Sequence, residues 1–306
     1  MHYFITGASG WIGGAVIKEL RLSGVAVNGL ARSDASAVRL EEAGVTPIRG
    51  SLDDLEVLAR SAAASDGVIH LGFDHEAAFQ RGAFAKAAQL DRRAVEVMGQ
   101  ALGGSGRPLA IASGVAGLSR GAPVTEGDGL TVPLELRGTP MAMRHATSLF
   151  ALSLAGIGVR SIVVRFAPTV HGAGNVGFIG TLAQIARQAG ESGYVGEGEN
   201  RWSALHVSDA GRIVAKSMDA APAGSIIHAV AEEGIPFLEI ATSIGRQLDV
   251  PVRSIEAENA LERFGFLGVL AAQDLAASST FTRELLDWTP TGPTLLEDID
   301  LGHYTC

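Results

Sequence analysis

TGASGWIG, residues 6–13, decides the fold. It follows HYFIT (2–6), an apolar run of strand character, and opens WIGGAVIKELRLSG (11–24). In that second stretch apolar residues recur at helical spacing until Gly24 stops the pattern. Glycines between a strand and a helix at this spacing have separate tasks. Gly7 makes the tight turn, Gly10 lets the backbone approach a pyrophosphate, and Gly13 lets the helix pack closely on the strand. The helix N-terminus then offers N–H groups and a positive dipole end to the phosphates. Ser9, Trp11 and Ile12 complete the turn and are expected cofactor contacts with the three glycines.

The pattern continues outward. VAVNGL (25–30) reads as a second strand, and DASAVRLEEAG (34–44) as a helix capped by Asp34 and ended by Gly44. TPIRG (46–50) is a third strand and DDLEVLARSAAA (53–64) a third helix. GVIHLGF (67–73) is a fourth strand, a long helix spans about 76–102, and RPLAIAS (107–113) is a fifth strand. A polar, Gly-rich loop follows, then a helix over about 140–155 and the strand VRSIVVRF (159–166). Strands alternating with helices predict an α/β fold, a doubly wound parallel sheet with right-handed crossovers. The ligand crevice then lies at the carboxyl ends of the strands. Residues 1–166 are expected to form the cofactor-binding domain and 167–306 mainly a smaller substrate-binding lobe. SIIHAVA (225–231) reads as a buried strand returning to the main sheet.

Composition narrows the partners. The chain has 306 residues, 47% of them hydrophobic, which is enough for a sizeable core. The net charge is −9, and basic residues do not cluster beyond Arg92-Arg93. No nucleic-acid or membrane partner is expected, and a small molecule fits better. No basic, apolar leader and no apolar run of membrane-spanning length is visible. Cys306 is the single cysteine, so no intramolecular disulfide forms, in keeping with a cytoplasmic setting. The eight histidines are scattered without ligand spacing, so no metal is expected. A Gly-x-Ser-x-Gly elbow is absent, which removes a hydrolase reading.

The second strand runs into GLARSD (29–34). Arg32 and Ser33 stand where the 2′-phosphate of NADP(H) would sit, and arginine bonds phosphate through a bidentate fork. NADP(H) is therefore the preferred cofactor, with NAD(H) as the other possibility.

These landmarks together resemble the short-chain dehydrogenase/reductases of the extended type, in the NAD-dependent epimerase/dehydratase superfamily. TGASGWIG resembles the family's TGxxGxxG turn, and GSLDD (50–54) its GDLxD stretch, which would place Leu52 and Asp53 near the adenine. GVIHLGF resembles the fourth strand that sets Leu71 and Gly72 against the cofactor. IASG (111–114) resembles the strand end carrying the catalytic serine, here Ser113. RFAPTVHG (165–172) resembles the RxxxVYG stretch past the nicotinamide, bringing Pro168 to the cofactor. ALHVSDAG (204–211) and LLDWTPT (285–291) resemble two later segments. The resemblance implies a Rossmann-type domain and a homodimer through the helices at 76–102 and 140–155.

One stretch departs from the family. Its active helix carries Tyr-x-x-x-Lys, and GTPMAMRHATSLFA (138–151) offers Met141 and His145 at the matching positions. Methionine has no proton to give. His145 keeps a ring N–H that can bond the nicotinamide ribose or act as the proton donor. Ser113 can bond a substrate oxygen. The resemblance also implies substrate contacts from Phe73, Met141, His171, Arg201, Trp202 and His206. Asp74, His75, Glu126 and Asp128 are lesser candidates in crevice loops.

The expected function is an NADP(H)-dependent oxidoreductase moving hydride to or from a small carbonyl or alcohol. The alternative is a non-catalytic NADP(H)-binding sensor, favoured by the missing Tyr and Lys. A lesser alternative is an epimerase or dehydratase using tightly held NAD.

Overall fold

The apolar runs of the sequence become strands whose central members are buried on both faces, as a parallel sheet between two helical layers requires. A computed structural model describes residues 1–119, 121–132, 137–174 and 177–304; Cys306 lies outside the described residues. The first half runs β1 (His2–Thr6), α1 (Trp11–Leu22), β2 (Ala26–Ala31), α2 (Asp34–Glu42), β3 (Thr46–Arg49), α3 (Leu55–Ala63) and β4 (Gly67–His70). It continues with α4 (Phe84–Leu102), β5 (Pro108–Gly114), α5 (Pro140–Ser153) and β6 (Arg160–Phe166). Then follow β7 (Thr169–His171), α6 (Phe178–Ala189), β8 (Ser192–Val195), β9 (Arg201–His206), α7 (Val207–Ala220), β10 (Ser225–Ala229) and β11 (Glu232–Pro236). The last elements are α8 (Phe237–Leu248), β12 (Val252–Ile255), α9 (Ala260–Phe264), α10 (Gly268–Ala271), α11 (Thr280–Leu286) and α12 (Leu295–Asp300).

Seven strands form one sheet in the order β3-β2-β1-β4-β5-β6-β10, and every pair is parallel. The chain reverses its direction of travel across the sheet between β1 and β4, which opens a crevice at their carboxyl ends. On one face, Val16, Ile17 and Leu20 of α1 share a core with Ile213, Val214 and Met218 of α7. On the other, Leu58 of α3, Met98 of α4 and Ala151 of α5 close a second core. Beyond the sheet, Trp202, Phe237, Ile240 and Phe264 centre a third core. Around it lie two small sheets, β11-β9-β7 and β12-β8.

Several local expectations shift. The long helix expected from residue 76 is broken. A π-helical turn at Glu76–Gln80 comes first, and α4 begins only at Phe84, after Gly82 takes a positive φ of 64°. Ser33, not Asp34, caps α2: its hydroxyl accepts the Ser36 N–H, and Ser36 returns a bond to the Ser33 N–H. Asp34 is the first helical residue and pairs instead with Arg49 at 2.5 Å. The fourth strand ends at His70, because Thr6 captures the next two N–H groups. Leu71 donates to the Thr6 carbonyl and Gly72 to the Thr6 hydroxyl.

Candidate functional site

The glycine turn is built so tightly that side chains are excluded. Gly7 takes a φ of 70°, and a methyl group there would lie 2.7 Å from the Gly72 nitrogen. A methyl on Gly13 would lie 2.2 Å from the Gly7 carbonyl oxygen. A methyl on Gly10 would meet only the Gly7 oxygen, at 3.1 Å, so the space above it stays open. Gly10 is the N-cap of α1 and brings no side chain to its N–H groups, and the first turn carries no acid. The end of the helix is therefore left for an external anion, and the turn fits a dinucleotide pyrophosphate. Trp11 closes one side by donating its indole N–H to the Val170 carbonyl at 3.2 Å, while Ile12 packs on the core. Ser9 is half-buried in the turn.

At the far end of this groove Arg32 is exposed, directly before the Ser33 cap. Leu52 closes on the turn, its methyl 3.3 Å from where a side chain on Gly72 would begin. Asp53 is on the surface, 3.7 Å from Arg93.

The opposite end holds a polar chain that sequence reading missed. The Gly72 N–H donates to the Thr6 hydroxyl at 3.1 Å, and that hydroxyl donates to His70 Nδ1 at 2.6 Å. His70 Nε2–H then meets Asp91 at 3.2 Å, and Arg144 meets the same carboxylate oxygen at 2.6 Å. This direction of donation is the one in which the Gly72 N–H, the Thr6 hydroxyl, the His70 ring and the Asp91 carboxylate all find complementary partners. Asp91 and His70 are buried. The Arg144 cation and the His70 bond outweigh burial and hold the Asp91 carboxyl below its ordinary range.

Arg144 also donates to the Ala112 carbonyl at 3.0 Å and lies 4.4 Å over the Phe73 ring. It is thus fixed at the carboxyl ends of β4 and β5, beside Ser113. Ser113 in turn shares a 2.9 Å bond with Ser148 of α5. His75 stands edge-on to Phe73. A clue existed in the sequence, since an arginine precedes His145 by one residue. Its partners Asp91 and Ala112 lie 53 and 32 positions upstream, where no spacing rule looks.

The two positions expected to replace Tyr and Lys do not converge on that place. Met141 sits half-buried in the first turn of α5, which Thr139 caps by accepting the Ala142 N–H. The His145 ring turns to the other side. Its Nε2–H donates to the Thr131 carbonyl at 3.1 Å, and its edge abuts Gly129. Burial is the main cause of its lowered pKa. The loop it holds carries Glu126 and Asp128, both in supporting roles. Glu126 accepts the Thr282 N–H and hydroxyl at 3.0 and 2.6 Å, and Val124 bridges to Ala277. Arg165 donates to the Asp128 carbonyl at 2.9 Å. Burial lowers Arg165 to about 10, which leaves it cationic at neutral pH.

The remaining candidates divide by burial. Pro168 is half-buried where the chain leaves β6. Trp202, expected at the substrate, is fully enclosed and donates its indole N–H to the Leu270 carbonyl. Its bulk is needed to fill the third core. His171, expected there too, is also fully enclosed, with Nδ1 2.5 Å from Asp298. His206 caps α7 through the Ser208 N–H and lies 3.9 Å from the same aspartate. Arg201 is clasped by Asp274 at 2.7 Å. Among the described residues no group of side chains could hold a metal, and no helix is long and apolar enough to cross a membrane.

A seven-stranded parallel sheet with a glycine turn at its switch point is an NAD(P)-dependent oxidoreductase-like fold. The chain belongs to the NAD-dependent epimerase/dehydratase family, whose sequence profile matches residues 3–229. It is similar to the uncharacterized protein C2A9.02 of Schizosaccharomyces pombe, 41% identical across 99% of this chain and 100% of that one. It is equally similar, at 41% across 98% of each chain, to the uncharacterized protein YLL056C of Saccharomyces cerevisiae. Among solved structures, the dTDP-glucose 4,6-dehydratase DesIV of Streptomyces venezuelae, with NAD bound, superposes with a TM-score of 0.77. That match covers 99% of this chain and 97% of the other at 17% identity, a likeness of fold.

Proposed function

We propose that the protein is an NADP(H)-dependent oxidoreductase moving hydride to or from a small carbonyl or alcohol substrate. The observation that carries this reading is the turn at Gly7–Gly13, closed to side chains yet open above Gly10, at the switch point of the sheet. A bound nicotinamide cofactor would supply the hydride chemistry. Gly10 and the N-terminus of α1 would hold the pyrophosphate, Leu52 would border the adenine, and Arg32 would bond a 2′-phosphate. Ser113 stands at the carboxyl end of β5, where a substrate oxygen would be bonded. The test is absorbance of NADPH and of NADH with purified protein against a panel of aldehydes, ketones and imines. Substrate-dependent oxidation of NADPH supports the reading.

Arg32→Glu should weaken NADPH binding by about 10- to 100-fold, the worth of a charged hydrogen bond. NADH binding should change by no more than a few fold. Titration of intrinsic fluorescence with each cofactor measures both. Equal losses for the two cofactors would remove the 2′-phosphate assignment.

A second reading, a sensor that binds NADP(H) without turnover, is favoured by one observation. Neither Met141 nor His145 presents a proton donor beside Ser113. Tight NADPH binding with no turnover across the panel would move the assignment to it.

A further inference from the structure

We propose that Arg144 takes over the work of the missing tyrosine, by charge and hydrogen bonds in place of proton transfer, with Asp91 and His70 as its positioning residues. The inference rests on the oxidoreductase reading and names the group that stabilises its reacting oxygen. Three features carry it. The guanidinium is anchored at the carboxyl ends of β4 and β5 by the Asp91 carboxylate and the Ala112 carbonyl, at 2.6 and 3.0 Å. Its flat face rests on Phe73 at 4.4 Å. Its side chain stays 19% exposed while Asp91 is 2% exposed, so the carboxylate that anchors it is buried while the arginine itself keeps contact with solvent. A guanidinium has five N–H donors in a fixed fork, so the two anchors leave others for a ligand oxygen.

The chain behind Arg144 matters as much as its charge. Thr6 opens the glycine turn, and its hydroxyl holds His70, which holds Asp91. One run of bonds therefore ties the cofactor turn to the guanidinium and sets the distance between them. An arginine does not surrender its proton at physiological pH. Its contribution is electrostatic. A bound reduced nicotinamide would supply hydride to a substrate carbonyl carbon, and the C=O π pair would pass to oxygen. Arg144 and the Ser113 hydroxyl would bond that alkoxide oxygen, which would take its proton from water. A preorganised donor in this position is worth about 100-fold or more in rate.

The experiment compares the wild-type protein with Arg144→Lys and with the double variant Asp91→Asn/Arg144→Gln, which removes both charges and leaves no buried ion alone. Melting temperature and NADPH affinity are measured first and should stay near wild type in the double variant. Turnover of a carbonyl compound found with the panel should then fall about 100-fold in kcat in the double variant. It should fall less in Arg144→Lys, which keeps the charge and loses the fork. Benzoate, an unreactive oxyanion, gives a readout apart from turnover. The wild-type complex with NADP+ should bind it, and the double variant should bind it at least tenfold more weakly.

Turnover in the double variant within threefold of wild type would overturn the role of Arg144 and leave the oxidoreductase reading standing. If the wild type turns over nothing, that reading fails, and benzoate decides alone. Equal benzoate binding by wild type and double variant then overturns Arg144 as well. If the double variant does not fold, Arg144→Lys carries the comparison, and unchanged kcat and benzoate affinity in it would count against the proposal.

Discussion

Gly13→Ala is expected to abolish dinucleotide binding and to destabilise the fold by about 3 kcal/mol or more, at the upper end of overpacking effects. The added methyl would sit 2.2 Å from the Gly7 oxygen and 2.7 Å from the Ala8 oxygen. Both are backbone atoms, so no side-chain rotation relieves the clash. Helix α1 must lift off β1, and its N–H groups then lose their aim at the space above Gly10. The neighbouring Gly14 provides the control, because a methyl there meets nothing within 4 Å. Gly14→Ala should stabilise the helix by about 0.5–1 kcal/mol and leave binding intact. Thermal melts with NADPH titrations on both variants make the comparison. Near-normal binding by Gly13→Ala would show that the turn does not cradle phosphates.

The second large effect is expected with acid. His145, His171 and His228 are buried, and burial is the leading cause that lowers each pKa below the ordinary 6.5. Below pH 6.5 the unfolded chain takes up protons at these three sites more readily than the folded chain does. Protons therefore favour unfolding, and the stability present above pH 6.5 is lost as pH falls through and below that value. The three sites act in the same direction, so their losses add. Asp91 adds a later loss. Its folded pKa is depressed, so its contribution is present above 3.8 and disappears as pH falls below it. Urea unfolding at pH 8, 7, 6 and 5.5 should give a nearly level free energy from 8 to 7 and a steep fall afterwards. A constant value from 7 to 5.5 would mean that the three imidazoles take up protons inside the fold.

The architecture was legible because its signals are local. HYFIT became β1 over the same residues, and RSIVVRF became β6. Continuous apolar strands, glycine stops and the 6–13 turn carry their meaning within a few residues. Features set by distant partners were not legible. Arg144 lies one residue from His145 but faces another place, because Asp91 and the Ala112 carbonyl hold it there. Trp202 lies in a segment that resembles a pocket wall, yet a neighbouring core needed its volume. The break before α4 hangs on the positive φ of Gly82, which a helical pattern of apolar residues does not reveal.

The clasp between Glu126 and Thr282 spans 156 positions of sequence. On a ribosome the segment around Glu126 emerges long before Ala277 and Thr282 exist. Until they arrive, the loop ahead of α5 lacks its strap, and a buried carboxylate lacks the donors that make its burial tolerable. The parallel sheet out to β6 can assemble earlier, from contacts already made. The loop ahead of α5 is therefore secured last, and a nascent chain can already hold Arg144 on Asp91 and Ala112, and Ser113 on Ser148, while that loop is still open.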